Sequence, residues 1–360
     1  MRKIFFVLFI ASFWSLQSLA QGCVAIRSNG GVCTMTGADG SHQPASWVLG
    51  INSRYFRSFR HFVGKDEQEQ RQELGNEVIN HTSATEFSLV HTMNNRWSVG
   101  LFAPIIANKR SSWYEHDNKN RYSTHSFGLG DIRTAAYFWT VDPAKNSKFN
   151  VQVGLGVKFP TGDYKYLDYF HKNDSVKILG PVDQSIQLGD GGTGITTEFN
   201  AYYHITKSFS AYANGYYLLN PREQNGVSTS RGSATPPANL VDGSDVMSVP
   251  DQYMVRAGAS YKLQDWMFSA GMRMECVTVY DLLGGSNGFR RPGYVISAEP
   301  VVAYKLHKAQ IYLSVPFAVE RNRTQSVPNK IKTEKTGVYT HGDAAFADYS
   351  VNFGVSFALK

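Results

Sequence analysis

The chain has 360 residues, 36 of them basic and 29 acidic, for a formal net charge of +7. That excess, part of it in Arg2 and Lys3 at the extreme N-terminus, is too modest for a nucleic-acid binder, and no nucleic-acid motif accompanies it. Beyond the first twenty residues no apolar run approaches the roughly eighteen residues of a membrane helix, so any membrane span has to be built from strands.

Residues 1–20 read as a secretory signal peptide: Arg2 and Lys3, an apolar run from Ile4 to Trp14, then Ser18-Leu19-Ala20 as a cleavage site before Gln21. Residues 21–46 read as a periplasmic N-terminal extension or plug, irregular because of its Gly, Ser and Asn content. Cys23 and Cys33 lie ten residues apart in it, and an oxidising compartment favours a disulfide between them. Acylation of Cys23 is the rival, although Ala20-Gln21-Gly22 is a poor approach to a lipidated cysteine. Cys276 is expected to stay unpaired as a small apolar side chain, buried or facing lipid.

From residue 47 onward the chain alternates apolar and polar residues in segments of about ten. The clearest is 150–159, where Val151, Val153, Leu155, Val157 and Phe159 alternate with Asn150, Gln152, Gly154, Gly156 and Lys158. Strands are predicted near 47–58, 83–91, 96–105, 131–140, 149–159, 194–204, 209–219, 252–262, 266–276, 294–304, 310–320 and 346–359. Short links alternate with long ones between them, the signature of an outer-membrane barrel with periplasmic turns and external loops. The expected fold is all-β: one transmembrane, antiparallel, up-and-down β-barrel over residues 47–360. About twelve strands are expected, with ten to fourteen open because a long loop can hide a hairpin. The composition agrees, with 32 Gly, 20 Tyr, 22 Phe and 6 Trp suiting strands that end in aromatic girdles. The mean hydropathy of −0.30 does not contradict it, because only every second strand residue meets lipid.

Sorting the strands by phase turns Glu86, Arg133, Lys158, Glu198, Arg256, Arg273, Glu275 and Glu299 inward as lumen-lining residues. An outward Arg or Lys near the midplane would cost about 2–4 kcal/mol. Four acids facing four bases suit an interior ion-pair network that fills the lumen, and they equally suit a polar, weakly selective conduit. Twelve strands do not decide between these, since eight leave a filled interior and sixteen a channel.

Loop 160–193 is long and of mixed charge, and ends in Gly189-Asp190-Gly191-Gly192. It is read either as a solvated surface loop or as a constriction folded into the lumen. Arg54, Arg57 and Arg60 interleave with Phe56, Phe59 and Phe62 where the alternation slips. They are placed at the outer rim, as an aromatic girdle with a charged edge or as a contact for lipopolysaccharide phosphates. Histidines are scattered: His116, His125, His171 and His341 in external loops, His91 and His204 at periplasmic ends. None has metal-ligand spacing, and no nucleophile motif is present, so neither an enzyme nor a cofactor is expected.

Three strand-loop junctions carry a resemblance: Gly128-Leu129-Gly130-Asp131-Ile132, Gly156-Val157-Lys158-Phe159-Pro160-Thr161-Gly162-Asp163, and Gln187-Leu188-Gly189-Asp190-Gly191-Gly192-Thr193-Gly194. Together, best over 125–260, they resemble the outer-membrane family of transporters associated with the meta pathway of phenol degradation. The resemblance implies a barrel that helps small aromatic or other apolar molecules across the membrane; it carries over no catalytic residues. The chain departs from the usual terminal aromatic of an assembly signal, ending Phe357-Ala358-Leu359-Lys360. The expected partners are outer-membrane lipid, lipopolysaccharide and a small-molecule solute. The first functional reading is a porin-like passive channel in the bacterial outer membrane. The alternative is an accessory barrel with a closed lumen and external loops that engage a protein partner, and a membrane-embedded hydrolase using His91 or His204 ranks last.

Overall fold

The computed structural model describes residues 46–359 apart from residue 147. The signal peptide, nearly all of the N-terminal extension and the Cys23–Cys33 pair lie outside the described residues. Twelve strands form the wall: β1 (Ser46–Val63), β2 (Ile79–Thr92), β3 (Trp97–Ser112), β4 (Tyr122–Leu129, resuming as Arg133–Trp139), β5 (Phe149–Lys158) and β6 (Gly194–His204). They continue as β7 (Phe209–Leu219), β8 (Gln252–Leu263), β9 (Trp266–Val277), β10 (Gly293–Lys305), β11 (Ala309–Ser314, resuming as Phe317–Arg323) and β12 (Ala344–Leu359).

Each strand pairs antiparallel with the next, and β12 returns to β1 from Trp47↔Leu359 to Phe62↔Ala344. Closure leaves no open edge to the membrane core, where an unpaired backbone polar group costs several kcal/mol. The β1–β12 register shifts at Phe56/Ser58 and again at Ser58/Arg60, which explains the slipped alternation there.

The wall separates two solvents by residue parity. In β5 the exposed side chains include Val153, Leu155 and Val157, whereas Asn150, Gln152 and Lys158 are buried inside. At the short-turn end Trp47, Trp97, Phe149, Tyr203, Phe209, Tyr261 and Trp266 face outward, and Trp97–Phe138 and Trp266–Tyr304 sit ring to ring at 4.7 and 4.6 Å. At the loop end Tyr55, Tyr169, Phe317 and Tyr349 form the opposite belt. An apolar band between two aromatic belts is the outer surface that lipid requires.

The long connections are structured. Loop 160–193 holds the hairpin Leu167–His171 and Lys177–Pro181, then turns back over the barrel mouth. Gln224–Ser228 pairs with Val246–Ser248, and the last long loop holds a helix, Val327–Thr336, begun by a capping box of Ser326 and Asn329. The upper half of β4 pairs with β3, and beside it the His125 amide donates to Asp168 of the hairpin at 2.7 Å.

Candidate functional site in the barrel lumen

Inward residues of β1, β8, β9 and β10 meet in one ionic cluster. Arg54 donates to both oxygens of Glu275 at 2.8 and 2.9 Å, and Arg273 reaches Glu275 at 2.9 Å and Glu299 at 3.4 Å. Arg256 stands 3.8 Å from Glu299 and donates to Asn214 Oδ1 at 2.8 Å. These five charged side chains are nearly solvent-free, so their hydrogen-bonded pairing offsets a large desolvation cost. A second cluster joins Arg133 on β4 to Glu198 on β6, with the Tyr137 hydroxyl donating to Glu198 at 3.1 Å. The Arg133 guanidinium lies 3.9 Å over the Phe102 ring, a cation–π contact that fixes its plane.

The eight residues read from sequence as lumen-lining are all buried, but they divide among three places. Arg256, Arg273, Glu275 and Glu299 share the first cluster; Arg133 and Glu198 form the second; Lys158 and Glu86 line the cavity above. Arg54 corrects the sequence reading. It is no rim contact for lipopolysaccharide; it points inward with Phe56, while Arg57 on the same strand is exposed. Arg60 is engaged by Glu67 and by Asp348 at 3.5 Å.

The three junctions singled out in the sequence converge on one point. Lys158 donates to Asp131 at 3.2 Å and also pairs with Asp190. Asp131 accepts from the amide of Gly162 at 3.0 Å and the amide of Asp190 at 3.3 Å. Thr161 donates to the Gly130 carbonyl at 2.8 Å and accepts from the Ile132 amide at 2.8 Å, stitching the break in β4. Gly162 and Gly189 let two backbones touch: a Cβ on the first would lie 2.7 Å from the Leu188 carbonyl, and one on the second 2.6 Å from that of Gly162.

This knot anchors an inserted segment, residues 182–190, within loop 160–193. Val182, Ile186 and Leu188 are fully or almost fully buried, and Leu188 packs with Ala84 and Ile106 of the wall. Asn108 and Ser126 donate to the Ile186 carbonyl, Gln187 donates to that of Val182 at 2.8 Å, and Gln184 donates to Ser248 at 2.9 Å. Of the two readings of the loop, the hairpin half suits the solvated one and residues 182–190 the constriction.

Three cavities mark the interior. Near the periplasmic turns a mouth of about 500 Å³ is bordered by Trp139, His204, Lys262 and Trp266. A middle cavity of about 160 Å³ lies beneath the inserted segment, bordered by Phe56, Glu86, Arg133, Lys158, Gln187 and Tyr216. An outer vestibule of about 330 Å³ is bordered by Arg110, Asp183, Arg231 and Arg290.

The vestibule is walled by ion pairs. Arg110 and Arg231 donate to Glu115 at 2.9 and 2.7 Å, Arg291 chelates Asp183 at 2.7 and 2.8 Å, and Arg290 chelates Asp281 at 2.6 and 2.7 Å. Burial opposes ionisation of Glu115, but the charges of Arg110 and Arg231 outweigh it and hold the pKa down at about 2. Asp183 is likewise held well below the ordinary carboxylate range, with burial outweighed by Arg110 and Arg291. Burial pushes His116 the other way from a surface histidine, down to about 4; its Nδ1 accepts the His171 amide at 3.1 Å.

Among the described residues, no three of His, Cys, Asp and Glu gather as a metal site. His91 stacks on Trp47 at 4.3 Å, and Cys276 is a buried free thiol.

No family model matches the sequence, and no curated protein matches it. Among solved structures, an outer membrane channel from Pseudomonas putida F1 aligns with a TM-score of 0.59 at 9% identity, covering 89% of this chain and 97% of that one. The translocator domain of the autotransporter NalP from Neisseria meningitidis gives 0.46 at 11% identity, over 90% and 92%. The toluene transporter TbuX from Ralstonia pickettii gives 0.40 at 9% identity, over 89% and 90%. Identity this low speaks for fold alone. Together with the closed ladder and the two aromatic belts, the first of these likenesses establishes the chain as a twelve-stranded β-barrel of the bacterial outer membrane.

Proposed function

We propose that the barrel is a passive channel that carries small molecules across the outer membrane, narrowed by the inserted segment 182–190. The observation that carries this reading is the succession of cavities from the outer vestibule through the middle of the lumen to the periplasmic mouth. Two polar layers interrupt it. Asp183, Arg110 and Arg291 separate vestibule from middle, and Arg133, Glu198, Asn214 and Arg256 separate middle from mouth. The middle cavity is small and largely apolar, which favours aromatic or apolar solutes over extended hydrophilic ones. The outward bands engage lipid and, at the loop end, lipopolysaccharide.

Purified protein in planar bilayers and in solute-loaded liposomes tests the proposal. The channel reading expects solute uptake above that of empty liposomes, and a folded barrel that neither conducts nor speeds uptake overturns it. One observation favours the second reading, an accessory barrel with a closed lumen: Arg54 and Glu275 clasp each other from β1 and β9 through the interior. That reading expects a silent bilayer together with a stoichiometric protein partner on the external loops.

A further inference from the structure

We infer that the middle cavity binds one uncharged molecule about the size of a single ring, bearing an oxygen that accepts hydrogen bonds from Arg133 and Tyr216. This rests on the channel reading and names what the channel would take.

Size is the first argument. The cavity measures about 160 Å³, and an apolar cavity of about 150 Å³ accepts benzene. Shape of the lining is the second. Phe56, Ala84, Pro104, Ile106 and Leu218 give it an apolar side that suits a hydrocarbon ring.

The polar side presents donors. Arg133 spends Nη1 on Tyr137, at 3.2 Å, and on Glu198. Its Nε has no hydrogen-bond partner among the described residues, although only 4% of the residue's surface is exposed. Tyr216, 5% exposed, lines the same cavity wall, with its ring 5.8 Å from the Arg133 guanidinium. Phe102 holds the guanidinium plane, so these donors are pre-oriented and not free to turn away. A plain hydrocarbon would leave them unmet, which is unfavourable in a dry site.

Charge decides against an anion. Each cation on the wall already has a carboxylate: Arg54 has Glu275, Arg133 has Glu198, Lys158 has Asp131 and Asp190, and Arg291 has Asp183. Glu86 adds a further acid to the lining. A carboxylate ligand would lose its hydration without gaining an uncompensated positive partner. A neutral hydroxyl, carbonyl or ether oxygen accepts the same donors without that loss.

The test is calorimetric titration of the full barrel in lipid nanodiscs, against empty nanodiscs, with benzyl alcohol, benzoate and toluene as probes. Benzyl alcohol is expected to bind at least roughly tenfold more tightly than benzoate. Tyr216→Phe should weaken benzyl alcohol roughly fivefold and Arg133→Met roughly tenfold, with toluene unchanged. If Arg133→Met fails to fold, Arg133→Met/Glu198→Met removes both members of the pair, and the isosteric Tyr216→Phe stands alone. Benzoate binding as tightly as benzyl alcohol, or benzyl alcohol indifferent to both changes, overturns the site. Liposome uptake of benzyl alcohol reads the other question: binding without uptake refutes the channel and keeps the site, and uptake without binding does the reverse.

Discussion

Lys158, the last residue of β5, donates to Asp131 at 3.2 Å, across the break in β4, and the same ammonium holds Asp190 at the end of the inserted segment. One cation therefore fastens a wall strand, a wall break and the lumen constriction together. Lys158→Met leaves Asp131 and Asp190 facing each other without a counter-charge, so the segment should be pushed out of the lumen. We expect single-channel conductance or liposome uptake to rise severalfold, and Asp190→Asn, which keeps one ion pair, to have the smaller effect. Unchanged permeability in both variants would show that segment 182–190 does not limit passage.

Removing Arg54 alone leaves Glu275 with Arg273 as its remaining partner in a dry site. Arg54→Met is expected to cost about 3 kcal/mol. Arg54→Met/Glu275→Met should cost less than the sum of the two single changes, because the interaction between the pair is lost only once. Urea unfolding, followed by heat-modifiable gel mobility, measures each variant. Strict additivity of Arg54→Met and Glu275→Met in the double variant would contradict the pairing.

The lipid-facing assignment is tested by charge insertion. Leu155 is 62% exposed on the outer face of β5, and Leu155→Arg should destabilise the folded barrel by about 2–4 kcal/mol in a bilayer. Val338→Arg, in the last external loop and 66% exposed, should cost under about 0.5 kcal/mol as an ordinary surface change. The difference between the two is the quantity to compare.

His116 sets a pH window. Burial lowers its pKa from 6.5 to about 4, so the folded loop keeps it neutral. Between pH 6.5 and 4 the unfolded loop binds a proton that the folded one does not, and stability conferred by this residue falls across that interval, then levels below it. Protonation at Nδ1 also removes the acceptor for the His171 amide. A histidine NMR titration should place the midpoint near 4, and proteolysis of the hairpin Leu167–Pro181 should accelerate as pH falls through the window. A midpoint at 6.5 would refute the burial.

The wall was legible where lipid lies on one side and polar interior on the other. Residues 194–204 and 209–219 come out as strands with the bounds that alternation alone predicts. Legibility ended where one of the two solvents changed. β3 runs on to Ser112, but its outward residues there include Lys109 and Ser111, so no greasy phase marks the extension. In β1 each phase holds both cations and rings, Arg54 with Phe56 and Tyr55 with Arg57, and only the three-dimensional partner Glu275 shows which phase is inside. The inserted segment has no period at all. Its burial comes from anchors at Asn108, Ser126 and Lys158, far from it in sequence.

Arg54 and Glu275 lie 221 residues apart, with three strands between them on the shorter way round the wall. Neither has the other while the sheet is open, and an unmatched charge in hydrocarbon is costly. The seam between the first and last strands and the neutralisation of the interior are thus completed in one step. Half-built intermediates are penalised twice, by bare edges and by stranded charge, which makes assembly all-or-none.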